Sequence, residues 1–252
     1  MVICRQHGRH QKHIKAEMQK DNYANFSDGV RFHEEIAHSW SNGYRRKSFN
    51  KRLSTFLAIF DRTVKAQQKW LDLGCGSGVL TRELLDREAI VTAVDGSPTM
   101  LDEVNMLQRD APSLPLNCIL SDVKDLNMIQ DSYFDGVLCS SVIEYTENPQ
   151  DVLEEIARVL RPGGVLILST PPKWSALRTI QKLIRWLTKV LGKETYKYLS
   201  VSRFEIDPAS LLKWFKNPGF SIVQVTPFDP LLPSFLAWFL RPSLLIIEAR
   251  RL

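Results

Sequence analysis

Residues 70–78 read Trp70-Leu71-Asp72-Leu73-Gly74-Cys75-Gly76-Ser77-Gly78. An apolar run ends at Leu73, three glycines follow at alternate positions, and Val79 to Leu85 resumes with helical spacing. The pattern predicts a buried strand that feeds a glycine-rich turn into a helix. Without side chains at Gly74, Gly76 and Gly78, the backbone can pass close to a bound molecule and adopt dihedrals that other residues resist. The spacing excludes two rivals. A dinucleotide fingerprint, G-x-G-x-x-G counted from Gly74, would need its last glycine where Val79 stands. A phosphate-binding P-loop needs Gly-Lys-Ser/Thr, and no lysine follows.

Three further stretches extend the pattern. Ile90 to Val94 is a second apolar strand that ends at Asp95, 21 positions after Gly74. An acid at the end of the second strand, about 20 positions past the turn, is placed to hold a ribose through its hydroxyls. Ser121-Asp122-Val123 follows the apolar residues Cys118 to Leu120. Phe134-Asp135-Gly136-Val137-Leu138-Cys139 is another strand, entering a loop at Ser140 and Ser141. Strand starts are expected near Lys69, Ile90, Asn117, Phe134, Val165, Phe220 and Ser243. Helix starts are expected where an acceptor side chain precedes proline, at Ser97-Pro98, Asn148-Pro149 and Asp207-Pro208. This alternation predicts an α/β fold, a doubly wound and largely parallel seven-stranded sheet with its site at the strand C-termini.

These stretches resemble the class I S-adenosylmethionine-dependent methyltransferases over roughly 32–252. The resemblance rests on Leu71 to Gly78, on Val94-Asp95-Gly96-Ser97-Pro98, on Phe134 to Cys139, and on Leu160-Arg161-Pro162-Gly163-Gly164 before a final apolar strand. Within that family the chain is most similar to the ubiquinone-type O-methyltransferases. The resemblance implies a Rossmann-like methyltransferase domain over 29–252, with N-terminal helices and a helical insertion after strand 5. It implies S-adenosyl-L-methionine as cofactor, met by Arg52, Asp72, Gly74, Cys75, Gly76, Gly78, Asp95, Gly96, Asp122, Val123 and Ser140. The implied reaction moves a methyl group to a small-molecule or lipid-linked acceptor, most readily a hydroxyl oxygen. Catalysis then consists of aligning nucleophile, methyl carbon and sulfur, and of removing a proton from a neutral hydroxyl.

One departure bears on the proton. The ubiquinone-type enzymes carry Glu-x-x-Glu-His after the fourth strand, whereas this chain has Ser141-Val142-Ile143-Glu144-Tyr145. Serine cannot replace a carboxylate ligand of a hard cation, so no metal ligand is assigned. Tyr145, whose reference pKa of ~10 makes it a poor base at neutral pH, is expected to line the acceptor pocket. His33 and His38, on the predicted N-terminal helix, are the candidate bases.

Composition bounds the remaining classes. A chain of 252 residues, 44% apolar and 24% charged, suits one globular α/β unit. Four cysteines, at 4, 75, 118 and 139, show neither metal spacing nor a disulfide framework, which predicts a reducing, cytoplasmic compartment. The longest uninterrupted apolar run, Phe235 to Leu240, is too short to span a bilayer. Residues 1–28 form a polar, basic arm with His7, His10 and His13 three apart. The net charge of +5 gathers in that arm and in the segment after strand 5, without the interleaved aromatics of a base-reading surface, so no nucleic-acid partner is expected.

That later segment is amphipathic. Trp174, Leu177, Ile180, Leu183, Ile184, Leu187, Val190 and Leu191 keep helical spacing, and Lys173, Arg178, Lys182, Arg185, Lys189 and Lys193 fill the other face. Residues 173–193, with the tryptophan-bearing stretch 231–241, predict either peripheral contact with the inner face of a membrane or a lid over the substrate pocket; one helix can do both. Two other function classes stay open: a methyltransferase of protein or nucleic acid, and a cofactor-binding partner protein without catalysis.

Overall fold

The computed structural model describes residues 27–40, 47–173, 175–231 and 241–252, with the side chains of 38–40 and 47 excepted. The basic arm, its three histidines, Trp174, most of 231–241 and the side chain of His38 lie outside the described residues. Helices α1 (Asp28–Trp40) and α2 (Lys47–Thr63) precede the alternating body. The body runs β1 (Lys69–Leu73), α3 (Val79–Leu85), β2 (Ile90–Asp95), α4 (Pro98–Asp110), β3 (Leu116–Leu120), β4 (Phe134–Ser140), α5 (Pro149–Val159) and β5 (Leu160–Thr170). Helix α6 (Ala176–Val190) and the short α7 (Leu211–Lys216) lead to the antiparallel pair β6 (Phe220–Phe228) and β7 (Leu244–Arg251).

The seven strands form one sheet in the order β3-β2-β1-β4-β5-β7-β6. The first five are mutually parallel, and β7 enters antiparallel between β5 and β6. The expected doubly wound, mostly parallel sheet is therefore present. Strand residues alternate between two apolar layers, as a pleat with period two requires. Leu71, Leu73, Val137, Cys139, Leu166 and Leu168 face the layer built with α5 and α7. Trp70, Leu138 and Ile167 face the layer built with Phe56, Ile59 and Phe60 of α2 and Leu84 of α3. Each fully buried side chain of this size contributes about 1.5–3 kcal/mol, so both layers are needed to hold the sheet.

Gly136 is in register with Trp70 across β1 and β4, and a Cβ there would lie 2.4 Å from the indole. The buried tryptophan thus dictates the glycine. Ser97 caps α4 as expected, its hydroxyl accepting from the Met100 N–H at 3.1 Å. Asp207 caps a 3₁₀ turn before α7, accepting from the Ala209 N–H at 3.0 Å. Asn148 makes no side-chain capping bond to α5, whose start rests on Pro149 instead. Strand β5 starts at Leu160, paired with Phe134, rather than at Val165; the 161–164 stretch bulges out before pairing resumes at Gly136 with Val165.

Strand order reverses between β1 and β4, the outer strands being reached by connections that run in opposite directions. The crevice beyond the C-terminal ends of these two strands is where a doubly wound sheet binds its ligand. It is here that Gly74 leaves β1 and Ser140 ends β4.

Candidate active site

A cavity of about 640 Å³ opens at this switch point. Its floor is Asp72, Gly74, Cys75, Gly76, Asp95 and Gly96, and its walls come from α1, α2, the loop after β4, the start of α6 and the turn at Tyr196–Tyr198. The sequence-predicted residues Arg52, Val123, Ser140, His33 and Tyr145 line it as well. Gly78 does not. Its φ of +79° caps α3, and a Cβ there would meet Val104 of α4 at 2.9 Å, so this glycine sets helix packing. Gly74 is needed twice: φ is +72°, and a Cβ would lie 2.3 Å from Val142 in the loop after β4.

Asp95 holds the turn together. Its Oδ2 accepts from the Gly76 N–H and its Oδ1 from the Ser97 N–H, both at 2.8 Å. Burial raises its carboxyl above the usual range, and the two amide bonds oppose that rise. Asp72 is buried one strand away, with the Thr81 hydroxyl donating to it at 2.6 Å. Burial pushes its carboxyl up to about 7; Thr81 lowers it, and the Asp95 charge raises it further. The two carboxyls stand on adjacent strands at the cavity floor, and desolvation raises both. Asp122 keeps one carboxylate oxygen, Oδ2, buried without a hydrogen-bond partner among the described residues, while Oδ1 accepts from the Lys124 N–H at 3.2 Å.

Opposite these acids stands Arg52 of α2. Its Nη2 lies 2.7 Å from Ser140 Oγ, 2.9 Å from Ser141 Oγ and 3.4 Å from Ser169 Oγ. Three hydroxyls orient the guanidinium without neutralising it, which leaves its charge for an anionic group. Ser141 sits at φ 57°, a left-handed backbone that a non-glycine residue adopts at a cost of order 1–3 kcal/mol. That conformation is secured by Ser169, whose hydroxyl accepts from the Ser141 N–H at 3.0 Å.

The far end of the cavity is roofed. Helix α1 is pinned to α4 by Glu34, which accepts from the Ser97 hydroxyl, and from the Thr99 hydroxyl at 2.6 Å. Val30 fills the space over Gly96, and Tyr145 fills the space over Gly29. His33 Nδ1 donates to Gly29 O at 2.7 Å, since a carbonyl only accepts; this puts a proton on Nδ1. Burial holds this imidazole below its usual range, the Gly29 bond opposing it. Its ring meets Tyr145 edge-on at 4.6 Å. Burial, with the Glu144 charge adding, drives the Tyr145 phenol far above its usual range, so it stays protonated and can donate but not take a proton.

Sequence reasoning missed several residues of this end. Glu144 is buried in the wall, pushed up to about 7 by burial, with Arg178, Arg52 and Ser141 lowering it in part. Arg178, which the spacing puts on the basic face of α6, is 7% exposed, facing Ser202 at 3.1 Å, Glu205 at 3.2 Å and the Tyr198 ring at 5.7 Å. Arg185 also turns inward, to the carbonyls of Tyr196 and Lys197. Rotating these arginines inward rotates apolar residues outward: Ile180 is 54% exposed, Leu183 56%, Trp186 63% and Val190 73%. Leu177, Arg178 and Gln181 line the cavity. No helix among the described residues is long and apolar enough to cross a membrane. Among the same residues no group of three or more His, Cys, Asp or Glu side chains is placed to hold a metal ion.

Comparison with known proteins places these features. Residues 71–168, from β1 to the middle of β5, match the family described as methyltransferase domain. A ubiquinone biosynthesis O-methyltransferase of Xanthomonas axonopodis pv. citri is 30% identical over 166 residues, 66% of this chain and 67% of that protein. A chain of the complex between the Haloferax volcanii Trm112 methyltransferase activator and a methyltransferase superposes with TM-score 0.68 at 19% identity, covering 90% of this chain and 98% of that one. The magnesium protoporphyrin IX methyltransferase of Synechocystis PCC 6803, solved with bound S-adenosylhomocysteine, gives TM-score 0.64 at 17% identity, over 89% and 100% of the two chains. With a methyltransferase family matched over 71–168 and a relative 30% identical over two thirds of its own length, the chain belongs to the S-adenosylmethionine-dependent methyltransferases.

Proposed function

We propose that this enzyme moves the methyl group of S-adenosylmethionine to a hydroxyl oxygen of a small or lipid-linked acceptor. The single observation that carries this reading is the division of one cavity into a charged floor and a roofed, largely apolar end. The floor fits the cofactor. Gly74 and Gly76 offer backbone where a side chain would intrude, Asp95 suits a ribose, Asp72 the methionyl ammonium and Arg52 its carboxylate, while Asp122, with Oδ2 unpartnered among the described residues, adjoins the lining residue Val123 in sequence. The cofactor supplies an electrophilic methyl on a sulfonium, and the chain's own residues supply alignment and a dry site. Phe32, Ile36, Phe49 and Leu53 line the same cavity, with His33, Glu144, Tyr145 and Arg178 among its polar members. A chamber roofed by α1 and α6 accepts a compact or elongated small molecule more readily than a folded protein or a duplex, which argues against a polymer substrate.

The acceptor reading draws further support from the name of the Xanthomonas relative, whose acceptor belongs to ubiquinone biosynthesis. The outward apolar face of α6, flanked by Lys189 and Lys193, suits the surface of an anionic membrane from which a lipid-linked acceptor could be drawn. The test is incubation of the purified protein with radiolabelled cofactor and, separately, a lipid extract, a catechol and a protein–RNA fraction. Label in the lipid or catechol fraction supports the reading. Label in the polymer fraction alone, or none anywhere despite cofactor binding, overturns it in favour of a polymer methyltransferase or a non-catalytic partner.

A further inference from the structure

The departures from the ubiquinone-type pattern at Ser141 and Tyr145 leave the acceptor's proton without an obvious destination. Glu144 is 2% exposed, lies in the cavity wall, and keeps Oε2 without a hydrogen-bond partner among the described residues. An acceptor oxygen buried without a donor costs about 1–3 kcal/mol, a cost that a docking hydroxyl removes. The carboxylate is held in place. Its backbone carbonyl accepts from the Arg203 N–H at 2.6 Å and the Phe204 N–H at 3.2 Å, which fixes the 3₁₀ turn Ile143–Tyr145 against the segment after α6. Ser141, the residue whose strained backbone presents a hydroxyl to Arg52, lowers the pKa of the Glu144 carboxyl.

The geometry points to Glu144 as the group that receives the acceptor hydroxyl's hydrogen bond and then its proton, a role resting on the hydroxyl reading above. As the acceptor oxygen forms its bond to the methyl carbon, its O–H bond breaks and the proton passes to Glu144. The sulfur–methyl bond breaks with its electron pair left on sulfur, turning sulfonium into thioether, and Glu144 later releases the proton to solvent. The charged and titratable groups around it fit this cycle. Arg52 from α2 and Arg178 from α6 favour the carboxylate, whereas Tyr145, Cys139 of β4 and Tyr198 are phenols and a thiol whose pKa values stay high. Burial outweighs the two arginines and sets the carboxyl at about 7, in the range where a base is both free and strong at neutral pH.

The experiment uses 4-nitrocatechol, whose colour reports ionisation, bound to the full-length protein with S-adenosylhomocysteine. Wild type should convert the bound probe to its anion below the pH at which the free probe ionises; Glu144→Gln should leave it protonated while binding S-adenosylhomocysteine as tightly as wild type in calorimetry. In turnover, Glu144→Gln should lower kcat by 10²-fold or more, and Glu144→Asp should restore part of it. At saturating cofactor, the rise of wild-type kcat/KM for the acceptor with pH, centred near 7, should vanish in Glu144→Gln and persist in His33→Gln. Unchanged probe ionisation and kcat in Glu144→Gln, or a pH profile that follows His33 instead, overturns the assignment. If wild type neither ionises nor methylates any hydroxyl probe yet methylates a polymer, the reading of the acceptor fails instead.

Discussion

Asp72 couples cofactor binding to pH. In the ligand-free protein, burial holds its carboxyl at about 7 instead of 3.8. Pairing with the cofactor's ammonium requires the ionised form. If pairing returns the carboxyl to its ordinary range, cofactor affinity is proportional to the fraction ionised beforehand. That fraction is about one half at pH 7 and about 3% at pH 5.5, so Kd should rise about 15-fold over this interval, approaching tenfold per unit as each unit costs about 1.4 kcal/mol. Above pH 8 the slope should be flat. Calorimetry in buffers of different ionisation enthalpy should detect close to one proton released per cofactor bound at pH 6. Asp72→Asn should abolish both the slope and the proton release, and weaken binding at pH 8 by about 1.5–3 kcal/mol through loss of a charged hydrogen bond. The sign for folding runs the other way. A carboxyl raised in the folded state favours the fold fully below its unfolded value of 3.8, and that contribution is lost as pH rises through 7. Ligand-free Asp72→Asn should therefore melt higher than wild type at pH 8. A slope between pH 5.5 and 7 that persists unchanged in Asp72→Asn would refute the coupling.

Three other outcomes are expected. Asp95→Ala should weaken cofactor binding by about 1.5–3 kcal/mol, because the Gly76 and Ser97 amides lose their shared acceptor along with the ribose; unchanged affinity in calorimetry contradicts the site. Gly136→Ala should cost about 1–3 kcal/mol of stability in denaturant unfolding, since its methyl would overlap the Trp70 ring, and Trp70→Leu in the same chain should recover part of that loss. Leu183→Glu with Leu187→Glu should abolish co-sedimentation with anionic liposomes at low salt without lowering the melting temperature, because both side chains face outward; a wild type that stays in solution with every liposome counts against the membrane reading.

The cofactor end was legible because its residues are contiguous with the strands that present them. Gly74 follows β1 directly, Gly76 lies three positions past its end and Asp95 is the last residue of β2, where the backbone alone determines their direction. The acceptor end depends on which elements close over it, and no local spacing encodes that. Glu144 was visible as a carboxylate in the right loop, but its burial comes from α6 and from Arg203, whose amide caps its carbonyl from far along the chain. Ser169 was invisible for the same reason: its hydroxyl matters only because β5 pairs beside β4 and α2 crosses above both.

Helix α6 shows that an accurate amphipathic pattern does not by itself say which stripe faces the protein. Its apolar and basic stripes are both real, and an isolated amphipathic helix on a soluble protein buries the apolar one. Here the segment at Tyr196–Glu205 offers carbonyls, a hydroxyl, an aromatic ring and a carboxylate on the protein side, and these satisfy Arg178 and Arg185 better than leucines would. The guanidinium pair therefore takes the inward position, and the stripe bearing Leu183, Trp186 and Val190 is left outside. Exposed apolar surface on one helix is costly in water unless a partner removes it. The same rotation places Arg178 beside Glu144 in the cavity wall, so that whatever covers the outer face of α6 also bears on the charge balance within the chamber.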